Sequence, residues 1–285
     1  MSLRRRIGVH TSIAGGVSLA LERAKELECS TVQIFSHNPR QWQAAPLPEE
    51  QVSRFRELRG LYGIDPVFIH TSYLINLAAR SNELLEKSLR LLVREMDLAD
   101  ALGADYVVLH TGSAAQDSPA EARARAVNAL KRTAGEGAWK AGLLLENTAG
   151  ERGDISSSVG ELAEIIGAAA VPLVAGVCID TCHAFSAGYD VAGSAGIREL
   201  AAEIERNLGA EKVRLIHLND SKRSLNARVD RHEHIGEGTI GGAGLGRFIS
   251  HPAFRTAPLV LETPKKSEDD DRRNLEAVRR LLQQE

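Results

Sequence analysis

Six apolar runs in this chain each stop on a side chain able to carry a proton or hold a metal. Val67-Phe68-Ile69 stops on His70, Tyr106-Val107-Val108-Leu109 on His110, and Gly142-Leu143-Leu144-Leu145 on Glu146. Gly176-Val177-Cys178-Ile179 stops on Asp180, Val213-Arg214-Leu215-Ile216 on His217, and Leu259-Val260-Leu261 on Glu262. An ionised carboxylate left alone at the end of a Leu-Leu-Leu run is costly, so such groups should be paired or on a metal. More residues of the same types stand close behind: His183 after Asp180, Asp230 and His232 after His217, and a weaker His10 near the start.

Histidine, aspartate and glutamate without thiolate suit zinc, with manganese or iron as other occupants. One ion needs roughly four ligands, so this supply of candidates points to two or three ions sharing carboxylates. Closely spaced divalent cations lower the pKa of a bridging water and stabilise both attacking and leaving oxygens of an in-line displacement at phosphorus. That chemistry suits phosphodiesters. With three zinc ions, the charges of Glu146, Asp180, Asp230 and Glu262 are outweighed, and the surplus attracts a phosphate.

The elements that must position these groups alternate along the chain. A first strand at Ile7-Gly8-Val9-His10 is followed by a helix with Leu19, Leu21, Ala24 and Leu27 inward, and Thr31-Val32-Gln33-Ile34-Phe35 is a second strand. Helices are expected over about residues 48–62, 81–103, 119–136, 158–169, 196–208 and 269–282, with Ser81 an N-cap and Gly103 a C-terminal stop. Apolar strands in strict alternation with helices predict a closed parallel (β/α)8 barrel, a single domain over residues 1–285. A doubly wound open sheet would spread six such strand ends along a line, whereas a barrel brings them to one mouth. The connection 219–244 is the longest, and a loop of that length in a compact domain is usually functional or disordered. The loop Ser36-His37-Asn38-Pro39-Arg40-Gln41-Trp42 reads, on spacing alone, as a plain connection, whereas Tyr73-Leu74-Ile75 after His70 puts apolar residues where loops normally spend polar ones.

Composition sets few limits. Hydrophobic residues at 43% and charged residues at 26% are those of a soluble globular protein. With no membrane-length apolar run and no signal-peptide core at the N-terminus, a cytoplasmic location is expected, without a membrane partner. The three cysteines form no disulfide framework and read as reduced and packed. A net charge of −3 argues weakly against a nucleic-acid partner, but three divalent cations would reverse its sign and concentrate the charge at one site. Arg4, Arg5 and Arg6 read as a solvated terminus.

Gly176-Val177-Cys178-Ile179-Asp180-Thr181-Cys182-His183, His70-Thr71-Ser72-Tyr73-Leu74-Ile75-Asn76-Leu77, Asn219-Asp220-Ser221-Lys222 and Asp230-Arg231-His232 together resemble the endonuclease IV family of abasic-site DNA repair nucleases. The likeness runs from Gly8-Val9-His10 to Glu262-Thr263-Pro264, essentially the whole chain. It implies a xylose-isomerase-like TIM barrel and a trinuclear zinc site. His70, His110 and Glu146 would hold one zinc, Glu146, Asp180, His217 and Glu262 a second, and His183, Asp230 and His232 the third. It further implies hydrolysis of the phosphodiester 5′ to an abasic site, leaving a 3′-hydroxyl, and removal of 3′-blocking groups. Glu146 would be the catalytic carboxylate, bridging the two ions that activate the nucleophile. The partner would be double-stranded DNA with abasic sites or blocked 3′ ends, met by a monomer working at the nucleoid. The resemblance also gives Arg40, Gln41, Tyr73 and Leu74, with Trp42 beside them, as segments pushed into the duplex at the lesion, which is cheaper to distort for lack of a stacking partner. His37, Pro39 and Thr71 depart from the family pattern and bear on the detail of DNA contact.

Two rival readings stand beside this one. A metal-dependent sugar isomerase on the same barrel would need neither the third ligand set nor the wedge-like loops. A non-catalytic lesion-binding protein would have an incomplete cluster, and here no ligand is missing.

Overall fold

The computed structural model describes residues 5–115 and 117–283. Eight parallel strands form the expected barrel: β1 (Ile7–Val9), β2 (Val32–Phe35), β3 (Val67–His70), β4 (Tyr106–His110), β5 (Gly142–Glu146), β6 (Val174–Asp180), β7 (Val213–His217) and, after a short hairpin of β8 (Asp220–Ser221) and β9 (His232–Glu233), β10 (Leu259–Leu261). Their order, β1-β10-β7-β6-β5-β4-β3-β2, is brought to closure by an isolated parallel bridge between His10 and Gln33. The closing seam is tight: a Cβ on Gly8 would lie 1.9 Å from the Thr31 carbonyl oxygen, so only glycine lets β1 approach β2 there.

The strand period of two decides what reaches the mouth. Phe68, Val108, Leu144, Cys178, Leu215 and Val260 pack together inside the barrel, one from each of six strands. Their chain neighbours, among them Val67, Ile69, Leu143 and Leu145, face outward into the larger core shared with the helices. His70, His110, Glu146, Asp180, His217 and Glu262 each stand two residues beyond one of the six inner residues, so each points the same way, one level up. Runs that are apolar on both faces hide this alternation until the barrel closes.

Around the barrel lie α1 (Val17–Glu26), α2 (Glu49–Tyr62), α3 (Asn82–Leu102), α4 (Pro119–Glu136), α5 (Val159–Ala169), α6 (Thr181–Ala187), α7 (Ser194–Asn207), α8 (Gly241–Ser250) and α9 (Asp270–Leu282). The expected caps are present, the Ser81 side chain accepting from the Leu84 N–H and Gly103 closing α3 in the left-handed conformation, and Ser158 and Glu161 add a capping box on α5.

Three departures from the sequence reading have identifiable causes. α6 starts where β6 stops, because the Asp180 carboxylate caps the His183 N–H at 2.8 Å. α8 begins inside the segment read as loop; its glycine-rich start has poor helix propensity, and burial of Leu245, Phe248 and Ile249 overrides it. Arg5 is no solvated arginine: it donates to the carbonyls of Ala257, Ile249 and Phe254 and ties the N-terminus to the far end of the chain. Arg4 lies outside the described residues.

The long connection is organised by Asp220. Its buried carboxylate accepts from the N–H groups of Ser221, Gly236, Gly238, Ile240 and Gly241, at 2.8 to 3.2 Å. This pins both ends of the segment carrying Asp230 and His232. Asp220→Asn sets an amide NH2 against backbone donors and is expected to cost about 3 kcal/mol, read by urea denaturation.

Candidate metal centre and its rim

The mouth gathers the strand-end groups around Glu146, which is buried at the end of β5. Glu146 Oε2 lies 3.4 Å from His70 Nε2 and 3.1 Å from His110 Nε2, while Oε1 lies 2.9 Å from His217 Nδ1 and 3.3 Å from His183 Nδ1. The two oxygens of one carboxylate therefore face different sets of imidazoles. Three groups of donor atoms result, each with all members within 4.8 Å of one another: His70, His110 and Glu146; Glu146, Asp180, His217 and Glu262; and His183, Asp230 and His232. Cys178 and Cys182 lie near enough to join alternative groups, Cys178 with Glu146 and His217, and Cys182 with Asp180 and His232. Burial pushes both thiols up to about 12, so they stay protonated.

Outer contacts orient the imidazoles. His70, His183 and His232 donate from Nδ1 to the carbonyls of Thr71, Asn147 and Glu262 at 2.8, 3.0 and 3.0 Å, which turns each Nε2 toward a carboxylate of the cluster. His217 is held the other way round: Nε2 donates to Gln33 Oε1 at 2.8 Å, and Nδ1 faces Glu146 and Glu262. The Gln33 amide donates to Glu262 Oε1 at 2.7 Å. The Asn219 amide donates to Asp180 Oδ2 at 2.6 Å, and its oxygen accepts from the Glu262 N–H at 2.8 Å. Sequence reasoning missed the roles of Gln33 and Asn219. The signal was a buried amide within an apolar strand for the first, and one two residues past a strand for the second. His10 stands at the edge, 3.4 Å from Glu262 Oε1, outside all three groups.

The electrostatics are those of a cation site. Burial alone would raise the Glu146 carboxyl, but His217 and His110 outweigh it and hold it well below the usual range. Glu262 is held down against burial by His217, His10 and His70. Burial is likewise overcome at Asp230, which His183 and His232 hold at about 2. His183 is driven well above the ordinary imidazole range because Asp180, Asp230 and Glu146 more than offset its burial. Protons on histidine thus supply the positive charge the carboxylates demand. Glu146 Oε2 and His232 Nε2 are nonetheless buried without a well-aligned hydrogen bond, although oppositely charged groups stand 3.1 to 3.4 Å away. Orphaned donor atoms aimed into one cluster, with oriented Nε2 ligands, fit divalent ions replacing those protons.

The cluster opens into a cavity of about 370 Å³ lined by Phe35, Tyr73, Thr263 and Lys265 as well as donor-group residues. Tyr73 stands at the rim, 71% exposed, with its ring 5.3 Å from that of Phe35. Leu74 is half-buried beside it, and Arg40 and Gln41 are exposed on the loop after β2. Trp42, by contrast, is partly buried and packs against the core.

Relatives with this architecture have a consistent character. Residues 21–284 match the family described as a xylose isomerase-like TIM barrel. Full-length relatives named probable endonuclease 4 include those of Methanosphaerula palustris, 39% identical over 97% of this chain and 98% of the relative, and of Trichlorobacter lovleyi, 41% identical over 96% and 99%. The crystal structure of endonuclease IV from Thermus thermophilus superposes with a TM-score of 0.86 at 40% identity, covering 98% of this chain and 100% of that one. The chain belongs to the endonuclease IV family. Sugar epimerases such as L-ribulose 3-epimerase, at 15% identity and a TM-score of 0.72, share the fold alone. Among the described residues, no helix is long and apolar enough to cross a membrane.

Proposed function

We propose that this protein is an abasic-site endonuclease that hydrolyses the phosphodiester 5′ to the lesion, leaves a 3′-hydroxyl, and removes blocking groups from 3′ ends. The observation that carries this reading is the Glu146 carboxylate shared between two donor groups, with a third group beside it under an open cavity. Zinc is the metal the donor set suits, with manganese as an alternative. His70, His110 and Glu146 would hold one ion, Glu146, Asp180, His217 and Glu262 a second, and His183, Asp230 and His232 the third. Bound there, the ions would supply an activated water nucleophile and charge stabilisation for in-line displacement at phosphorus.

The protein's own part is placement. Glu146 fixes the spacing of the first two donor groups because both its oxygens are committed. Asp180 divides its oxygens: Oδ1 caps α6 and Oδ2, oriented by Asn219, faces the cluster. Asp230 and His232 reach the mouth on the connection that Asp220 pins. Tyr73, Leu74, Arg40 and Gln41 would enter the duplex where a base is missing, and a wedge of this kind favours the site that lacks a stacking partner.

The deciding experiment is cleavage of a duplex oligonucleotide carrying one abasic-site analogue, with metal content measured on the same sample. Incision only on the 5′ side, with about three zinc ions per chain, is the expected result. A fully metallated sample that leaves the duplex intact would remove the nuclease reading and keep the barrel. Tyr73→Ala is expected to weaken binding to abasic duplex about 10-fold, the loss of one stacking contact. Because Tyr73 is exposed, the thermal midpoint of that variant should hardly move. Fluorescence anisotropy on abasic and intact duplexes checks this.

A further inference from the structure

One buried carboxyl close to the mouth belongs to none of the three donor groups. Glu95, on α3, is fully buried, and its two oxygens accept from the Ser72 N–H at 3.0 and 3.3 Å. Its Oε1 also lies 3.5 Å from His37 Nδ1. The two contacts belong to different loops. Ser72 directly precedes Tyr73 and Leu74, and His37 precedes Arg40 and Gln41.

The loops touch each other at the same place. Ser72 Oγ donates to the Pro39 carbonyl at 2.6 Å and accepts from the Leu74 N–H at 3.2 Å. His37 Nε2 donates to the Gln41 carbonyl at 3.3 Å, which leaves Nδ1 as an acceptor. Burial pushes the Glu95 carboxyl up to about 8, with the Ser72 N–H pulling the other way; it faces His37 Nδ1 from 3.5 Å, and Ser36 Oγ stands 3.3 Å from the same nitrogen. The neighbouring Arg94 donates from Nε to the Ala44 carbonyl at 3.0 Å and holds the far end of the first loop to the same helix. His37 and Pro39 are the first loop's two partners in this arrangement.

We infer that Glu95 is a positioning residue that couples the Tyr73–Leu74 loop to the His37–Gln41 loop, so that both wedge segments meet the duplex as one preformed unit and select abasic over intact DNA. Loops free to move separately would each have to be ordered on binding, and preorganisation removes that cost. The inference rests on the proposed function for its consequence, while the coupling itself is a property of the free protein.

The test compares wild type, Glu95→Leu and Glu95→Gln as metal-loaded full-length proteins. Leucine removes both contacts; glutamine mimics the protonated acid, its oxygen accepting from Ser72 and its NH2 donating to His37. Glu95→Leu is expected to raise Kd and KM for abasic duplex about 10-fold, leave binding of intact duplex and metal content unchanged, and leave kcat within about 2-fold. Glu95→Gln should restore the wild-type ratio of abasic to intact binding. A folded, metal-loaded Glu95→Leu protein with an unchanged ratio overturns the inference, as does a glutamine variant no better than leucine. Should Glu95→Leu fail to fold, His37→Ala cuts the coupling from the half-buried side and is expected to lower the ratio about 3-fold; no change there is equally fatal.

Amide hydrogen exchange on the free protein separates this from the functional reading. Glu95→Leu should expose the segments around Ser72 and around Gln41 together, and exposure around Ser72 alone overturns the coupling. A wild-type protein with no preference for abasic duplex would remove the nuclease reading and leave the exchange result to decide.

Discussion

Glu146→Gln is expected to reduce cleavage of abasic-site duplex on the order of 10³-fold, about 4 kcal/mol of transition-state stabilisation, while binding of the same duplex stays measurable. The size follows from the position of the carboxylate. Both oxygens lie within 3.4 Å of imidazoles carried by different elements of the barrel, so a neutral amide removes a charge from two donor groups at once. An amide also presents one NH2 where two acceptor oxygens stood, which leaves one side of the cluster facing a donor. On the proposed reading, duplex binding would rest on phosphate contacts and rim loops and is expected to survive. Steady-state cleavage with parallel anisotropy measures the split. Near-normal turnover would sink the shared-carboxylate role.

Removal of metal has the second largest expected effect. Prolonged dialysis against a chelator should abolish cleavage and lower the thermal midpoint by roughly 10 °C, with both restored on adding zinc. The size counts one site filled at about a thousand times its dissociation constant, which contributes about 4 kcal/mol through preferential binding to the folded state, and each further site filled as tightly would add to it. For a chain of this length each kcal/mol moves the midpoint by roughly 2 to 4 °C. The stripped protein should remain folded, because histidine protons and the amides of Gln33 and Asn219 keep the carboxylates partnered. Calorimetry with and without chelator, alongside metal analysis, reads both effects. An unchanged midpoint and undiminished cleavage would overturn the metal reading.

Much of the site was legible from local pattern. An apolar run ending on one polar residue is a statement about a few neighbours in the chain, and a strand's alternation carries it to the mouth. His70, His110, Glu146, Asp180, His217 and Glu262 were readable for that reason. Gln33 and Asn219 were not, since an amide within a strand or just after one has many ordinary explanations, and its partner here can lie 184 residues away, as His217 does from Gln33. The rim loops illustrate a different limit. Arg40 and Gln41 are exposed beside Trp42, but only packing shows that Trp42 is partly buried against the core. α8 was hidden by its glycines, because propensity argues against a helix that buried Leu245, Phe248 and Ile249 then stabilise.

By itself the amino-acid sequence determined which groups stand at the strand ends and in what order, because helix and strand periodicities are local. Tertiary structure decided which groups share a carboxylate, which nitrogen of each imidazole faces the cluster, and that Glu95 lies against both rim loops. Those relations depend on barrel closure and strand register, which bring residues far apart in the chain within hydrogen-bonding distance, and no local pattern encodes the separation.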